Sequence, residues 1–396
     1  MDNQQHRTDP TAVVEDDGTE IRARISAQLV ERIRAEIHAA GGLLPFDRFM
    51  DLALYAPGLG YYMAGAVKLG AEGDFVTAPE ISPLFGRCLA VQCAEVLQQT
   101  GGGDLLELGA GTGALAVQVL ETLEQLGVLP QRYRILELSP DLQSRQRALI
   151  LERIPHLAPR CDWLTKLPTG LRGLVLANEV LDAMPIHRFR SGEHGSVGEL
   201  FVAERGGALT EVVAPVRSPG LAEAVAALHA EGLARTAGYR SEINLRLGPW
   251  LDALGASLDA GLVLLIDYGY TRRTYYQPDR TMGTLMCHLR HQSRDDPYRE
   301  IGLQDITAHV DFTAVAEAGA AARLDLAGFT TQAHFLVGCG IDRFLADSPD
   351  TVGLALGAKQ LLLPSAMGER FKVLGLSRRL EGTQCGFSVR DLRDRL

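Results

Sequence analysis

Residues 104–115, DLLELGAGTGAL, limit what this chain can fold into more than any other stretch. An apolar run ends in an acid, a glycine-dense turn follows, and a helical pattern begins at Leu115, Val119 and Leu120. This is the strand–loop–helix opening of a nucleotide-binding α/β unit. Glycine tolerates the tight turn and lets a ligand approach the backbone, while a helix start offers N–H groups that lack intrahelical partners.

Three readings share these letters. Gly109, Gly111 and Ala114 satisfy the dinucleotide fingerprint, whose third position accepts alanine. Glu107 with Gly109, Gly111 and Gly113 fits the E-x-G-x-G-x-G loop of S-adenosylmethionine (SAM) methyltransferases. The loop also reads as a bare structural turn. Residues downstream carry the discrimination.

Around the loop, apolar strand patterns at 132–138, 160–164, 171–177 and 262–267 alternate with helical patterns at 83–99, 114–126, 141–154 and 249–260. Such alternation implies a parallel sheet covered on both faces. A helix at 311–322, a strand at 326–337, a short helix at 341–346 and a strand at 371–376 follow. Upstream, residues 1–20 read as a disordered tail, and helices at 21–40 and 45–54 as a cap. Between 55 and 82 the chain has no period and is rich in Gly, Pro and Tyr, the mark of a lid or binding loop. Residues 186–216 alternate like an inserted hairpin, 221–233 reads as a helix, and 268–304 as a long loop. The division expected is a helical cap with a lid over 21–100, then one α/β domain over 101–396 with an insertion at about 186–250.

Composition narrows the function classes. A net charge of -10 argues against broad nucleic-acid binding, and no apolar run reaches the roughly 20 residues that span a bilayer. Six cysteines without a C-x-x-C pair suggest reduced thiols, and the polar start MDNQQHRTDP resembles neither a signal nor a transit peptide. These features point to a cytoplasmic, bacterial protein.

Several residues are candidates for chemistry. Glu137 ends the second strand, where nucleotide folds place an acid that accepts both ribose hydroxyls; a solvated strand-end carboxylate is the alternative. In ANEVLDAMPIHRF, Glu179 and Asp182, with Asn178 and His187 nearby, follow the fourth strand. Paired acids there clamp a guanidinium, or simply complement a helix dipole. Asp74, Thr77 and Glu80 would touch a ligand's amino-acid moiety or cap the next helix, and Asp267 and Tyr268 end the fifth strand. His309 reads as a base, a substrate contact or a loop histidine satisfied by neighbours. Cys287, His288 and His291 match no zinc signature, so no metal is expected.

Taken together, GDFVTAPEISPLFG, LLELGAGTGALA, ILELSPDLQSRQ, LANEVLDAMPIHRF, LLIDYGY, GTLMCHLRH and DITAHVDF, in order from Gly73 to Phe312, resemble the MidA-like family of SAM-dependent methyltransferases. The resemblance implies a class I fold, a seven-stranded, mostly parallel sheet with an antiparallel final strand. It also implies SAM as cofactor and, from the family's mitochondrial branch of respiratory complex I assembly factors, protein arginine methylation. On it, Glu107, Gly109, Gly111 and Gly113 form the SAM loop, Glu137 holds the ribose, the adenine lies near Asp162 and Trp163, and Glu179 and Asp182 flank the methyl group. The competing expectations are a non-catalytic SAM-binding assembly factor and an NAD-dependent oxidoreductase.

Overall fold

The computed structural model describes residues 17–64, 77–289, 292–346 and 351–396. The tail to residue 16, residues 65–76 of the aperiodic 55–82 stretch with Asp74 among them, and His291 lie outside these. Seven strands form the central sheet: β1 (Asp104–Leu108), β2 (Tyr133–Leu136), β3 (Cys161–Leu164), β4 (Leu171–Asn178), β5 (Leu258–Tyr270), β6 (Asp325–Thr331) and β7 (Phe371–Arg378). Their order is β6-β7-β5-β4-β1-β2-β3, with β7 antiparallel to both neighbours and the β3-to-β5 run parallel. This is the doubly wound, class I arrangement, reversed only at its last strand.

The sheet is covered on both faces, which explains the continuous apolar runs in its strands. In β5, Leu262, Leu264 and Ile266 join one buried cluster, and Val263 and Leu265 the other. Helix Pro83–Gln99 packs in the first cluster through Leu84, Cys88, Leu89 and Val96. It begins where Pro83 occupies the first turn and the Ser82 hydroxyl accepts from Leu84 N at 3.3 Å.

The N-terminal helix Asp17–Ala39 buries Leu29, Ile33 and Ile37, spaced four apart on one face. These pack with Phe46, Phe49 and Met50 of helix Phe46–Tyr55 and with Ile186, Val202, Ile301 and Ile306 from later in the chain. The expected hairpin is larger than its sequence suggests. His187–Ser191, Val197–Arg205, Ala208–Pro215 and Arg240–Ile243 build an antiparallel sheet that takes in Leu44–Pro45 from the cap.

Three element boundaries differ from the sequence reading. The strand expected over 326–337 is β6 followed by helix Gln332–Gly338, because the Thr331 hydroxyl caps His334 N at 3.4 Å. The helix expected to 260 is Leu247–Ser257, and β5 starts at once at Leu258. The 268–304 loop contains helix Arg272–Tyr275 and strands Met286–Leu289 and Gln292–Arg294, which pair with each other, the first of them also pairing with Asp305–Thr307. Apolar alternation there is too short to register as periodic.

Candidate functional site

Register brings the candidate residues to one edge of the sheet. Leu108, the last residue of β1, pairs with Ala177, and Asn178 pairs with Ile266. The glycine loop, the segment after Asn178, and Asp267 therefore leave the sheet side by side, at the strand C-termini where open α/β sheets bind ligands.

On one side of this edge lies the glycine loop. Gly109, Gly111 and Gly113 have φ of 63°, 54° and 89°, a left-handed region that side chains disfavour. Gly113 caps helix Ala114–Gln125, and a Cβ on it would lie 3.3 Å from Gln146. Glu137 follows β2 and is buried. One carboxylate oxygen accepts from Ser139 N (2.9 Å) and the other from Gln146 Nε2 (3.1 Å). Burial raises its pKa, and these two donors oppose the rise. A carboxylate has about four acceptor positions, so Glu137 keeps capacity for a diol.

Gln146 was not singled out in the sequence. It is fully buried, its Nε2 also donates to the Gly111 carbonyl (2.9 Å), and its Oε1 accepts from Trp163 Nε1 (2.9 Å). The Arg147 guanidinium covers Trp163 at 3.8 Å from the ring centroid. The available signal was a glutamine between Leu142 and Ile150, spaced four apart on a buried helical face.

Two expected cofactor residues are placed differently. Glu107 is 3% exposed and accepts from the Tyr133 hydroxyl at 2.7 Å. Its carboxyl is pushed up to about 7 by burial, against that hydrogen bond. It supports the loop from beneath and presents no surface to a ligand. Asp162 and Trp163 are adjacent on β3 and so face opposite sides of the sheet. Asp162 lies half exposed, 3.8 Å from Arg132, a residue just before β2 and hence at the far end from the crevice.

Acids and tyrosines gather on the other side. Glu179 has φ of 53°, a strained conformation for a non-glycine residue, costing about 1–3 kcal/mol. Asn178 Nδ2 donates to its carboxylate at 3.1 Å. Burial and the neighbouring Asp182 charge push Glu179 up to about 8, against the Asn178 amide and the Ala78 N–H. Asp182 is buried and accepts from the Tyr268 hydroxyl at 2.5 Å; burial raises it to about 6, against that bond. Asp267 is fully buried and holds the segment in place, accepting from Leu181 N (3.0 Å), Asp182 N (3.2 Å) and Tyr268 N (2.9 Å).

The cap contributes what the sequence did not mark. Tyr55 donates to the Ala183 carbonyl (2.9 Å) and stacks on Tyr62 at 5.5 Å, and Tyr62 donates to the Asp305 carboxylate (3.0 Å). His309 stacks on Tyr270 (5.2 Å) and meets Tyr268 edge-on (4.9 Å). Burial and then Arg280 lower its pKa to about 4, so it is neutral at pH 7 and a weak base. Thr77 N donates to Glu80 at 3.3 Å where helix Ala78–Ile81 begins. Asp311 caps helix Phe312–Ala321, and His187 lies 3.4 Å from Asp47, apart from the acid pair's partners. Cys287 is buried in the cap core, and among the described residues no group of three His, Cys, Asp or Glu is arranged to hold a metal.

A left-handed glycine loop at the start of a helix, a strand-end carboxylate with acceptor capacity left over, and an acid pocket beside them suit an adenosyl ligand next to a methyl acceptor. The fold and this site define a SAM-dependent methyltransferase. A family model described as S-adenosyl-L-methionine-dependent methyltransferase matches residues 88–330, and the chain belongs to that MidA-like family. The chain is 30% identical to the protein arginine methyltransferase NDUFAF7, mitochondrial, of Danio rerio, over 88% of this chain and 86% of that protein. It is 29% identical to the Drosophila melanogaster homologue, over 88% and 84%. A Burkholderia thailandensis protein crystallised with S-adenosyl-homocysteine superposes with a TM-score of 0.91 at 39% identity, covering 97% of this chain and all of that one. SAM is the cofactor, and the dinucleotide reading of the glycine loop is set aside.

Proposed function

We propose that this methyltransferase modifies the guanidinium of an arginine side chain in a protein substrate. The carrying observation is a pair of buried acceptors without partners among the described residues, Asn178 Oδ1 and Asp182 Oδ1, on either side of Glu179. A buried acceptor left unpaired is costly, so such a site suits a ligand rich in donors. Guanidinium carries five N–H donors in a plane and pairs bidentately with carboxylates. Tyr55, Tyr62 and Tyr268 supply aromatic surface around the acids. The relatives named as protein arginine methyltransferases support the same reading.

Bound SAM supplies a methyl group activated on a sulfonium. Gly109, Gly111, Gly113 and Glu137 hold the cofactor. Glu179 and Asp182 accept the guanidinium N–H groups, with Asp267 and Tyr268 fixing their positions. Methylation of a guanidinium nitrogen releases one proton, and Glu179, raised to about 8, is the carboxylate assigned to take it. His309 lines the aromatic side and does not act as the base.

The test is to incubate the protein with methyl-labelled SAM and a cell extract, then hydrolyse the labelled polypeptides to amino acids. Label in methylarginine is the expected result. Label confined to methyllysine or to carboxyl methyl esters contradicts the proposal.

A further inference from the structure

We infer that Gln146 is the positioning residue of the cofactor site, fixing the glycine loop and the ribose carboxylate in one geometry. The inference rests on the reading of Glu137 given above. One amide joins three parts of the chain that are distant in sequence. Its Nε2 lies 2.9 Å from the Gly111 carbonyl and 3.1 Å from Glu137 Oε2, and its Oε1 takes the Trp163 indole proton at 2.9 Å. The group is fully buried, so water cannot replace any of these bonds.

Only an amide meets all three requirements. Gly111 and Glu137 both need a donor and Trp163 needs an acceptor; a carboxylate would set like charge against Glu137, and a hydrocarbon would strand all three. The hydrogen bond to Glu137 takes up one acceptor position on Oε2 and leaves others free. The bond to Gly111 holds the carbonyl at the middle of the loop. A Cβ at Gly113 would lie 3.3 Å from the Cα and Cγ of Gln146, so the loop and the helix carrying the glutamine pack closely there.

The experiment is calorimetric binding of S-adenosylhomocysteine and of its 2′-deoxy analogue to the wild-type protein, Gln146→Leu, Gln146→Glu and Glu137→Gln, with the melting temperature of each recorded without ligand. Gln146→Leu is expected to weaken S-adenosylhomocysteine about ten- to a hundredfold, as loss of outer-shell partners does elsewhere. It should also shrink the wild-type preference for the 2′-hydroxyl, because that preference acts through Glu137. Gln146→Glu should bind no better than Gln146→Leu. The inference is overturned if Gln146→Leu melts near the wild type and binds within twofold of it, or if the 2′-hydroxyl preference survives intact in that variant. Unchanged binding by Glu137→Gln would instead remove the ribose reading itself, and so separates the two failures.

Discussion

On the glycine-loop side of the crevice, Glu137, Gln146 and Trp163 satisfy one another, and the strained conformations fall on glycines. On the acid side, Asn178 and Asp182 each leave a buried oxygen without a partner among the described residues, and the left-handed residue is Glu179. The first half is complete before anything binds, which suits a cofactor common to every turnover. The second holds acids whose pKa values burial raises, and its unmet acceptors suit a donor-rich ligand. Preorganisation and stored strain thus divide along the cofactor–acceptor boundary.

The largest effect expected from breaking the first half is Gly111→Val. A branched side chain at φ of 54° is a severe outlier, and affinity for S-adenosylhomocysteine should fall by at least about 100-fold in calorimetry.

The acid half should show itself through pH. Holding a guanidinium needs Glu179 and Asp182 ionised, and both are raised, to about 8 and about 6. Lowering the pH protonates them, so kcat/KM should decline as pH falls from 8 to 6. A methyl-transfer profile level across that range contradicts the role given to the pair.

Tyr268→Phe sharpens this. The hydroxyl lowers the Asp182 pKa, so its loss should move the acidic limb of the profile to higher pH and reduce kcat about tenfold, with cofactor binding retained. Smaller still, Trp163→Phe removes one hydrogen bond to Gln146 and should cost about three- to tenfold in cofactor affinity. Asp162→Asn, on the opposite face, should leave that affinity within about twofold of the wild type.

The halves also differ in how far they could be read from the chain. The glycine loop, β2 and Glu137 lie within 34 residues, and their signal is local: apolar runs, glycines and a strand-end acid. The acid side joins residues 178–182 to Tyr268, Asp305 and His309 and to Tyr55 and Tyr62 from the cap. Nothing local marks Tyr55 as the partner of the Ala183 carbonyl or Tyr62 as the partner of Asp305, each more than a hundred residues away. Gln146 was legible only as a polar intruder on an apolar helical face. Asp162 and Trp163 lie on opposite faces of a short strand, a distinction that the sequence alone does not mark. Strands and helices of the central sheet read well because burial on both faces leaves continuous apolar runs. The sheet built from 187–243 with Leu44–Pro45 did not, since its edge partner comes from the other end of the chain.

Glu179→Gln tests the division most directly, because it removes the acid while keeping the side chain's size and the neighbouring amide contact within reach. Calorimetry with S-adenosylhomocysteine and transfer of labelled methyl to extract proteins are measured on the same preparation. The account predicts cofactor affinity within about threefold of the wild type and methyl transfer reduced by about 100-fold or more. Transfer at the wild-type rate, or an equal loss of cofactor binding, contradicts it.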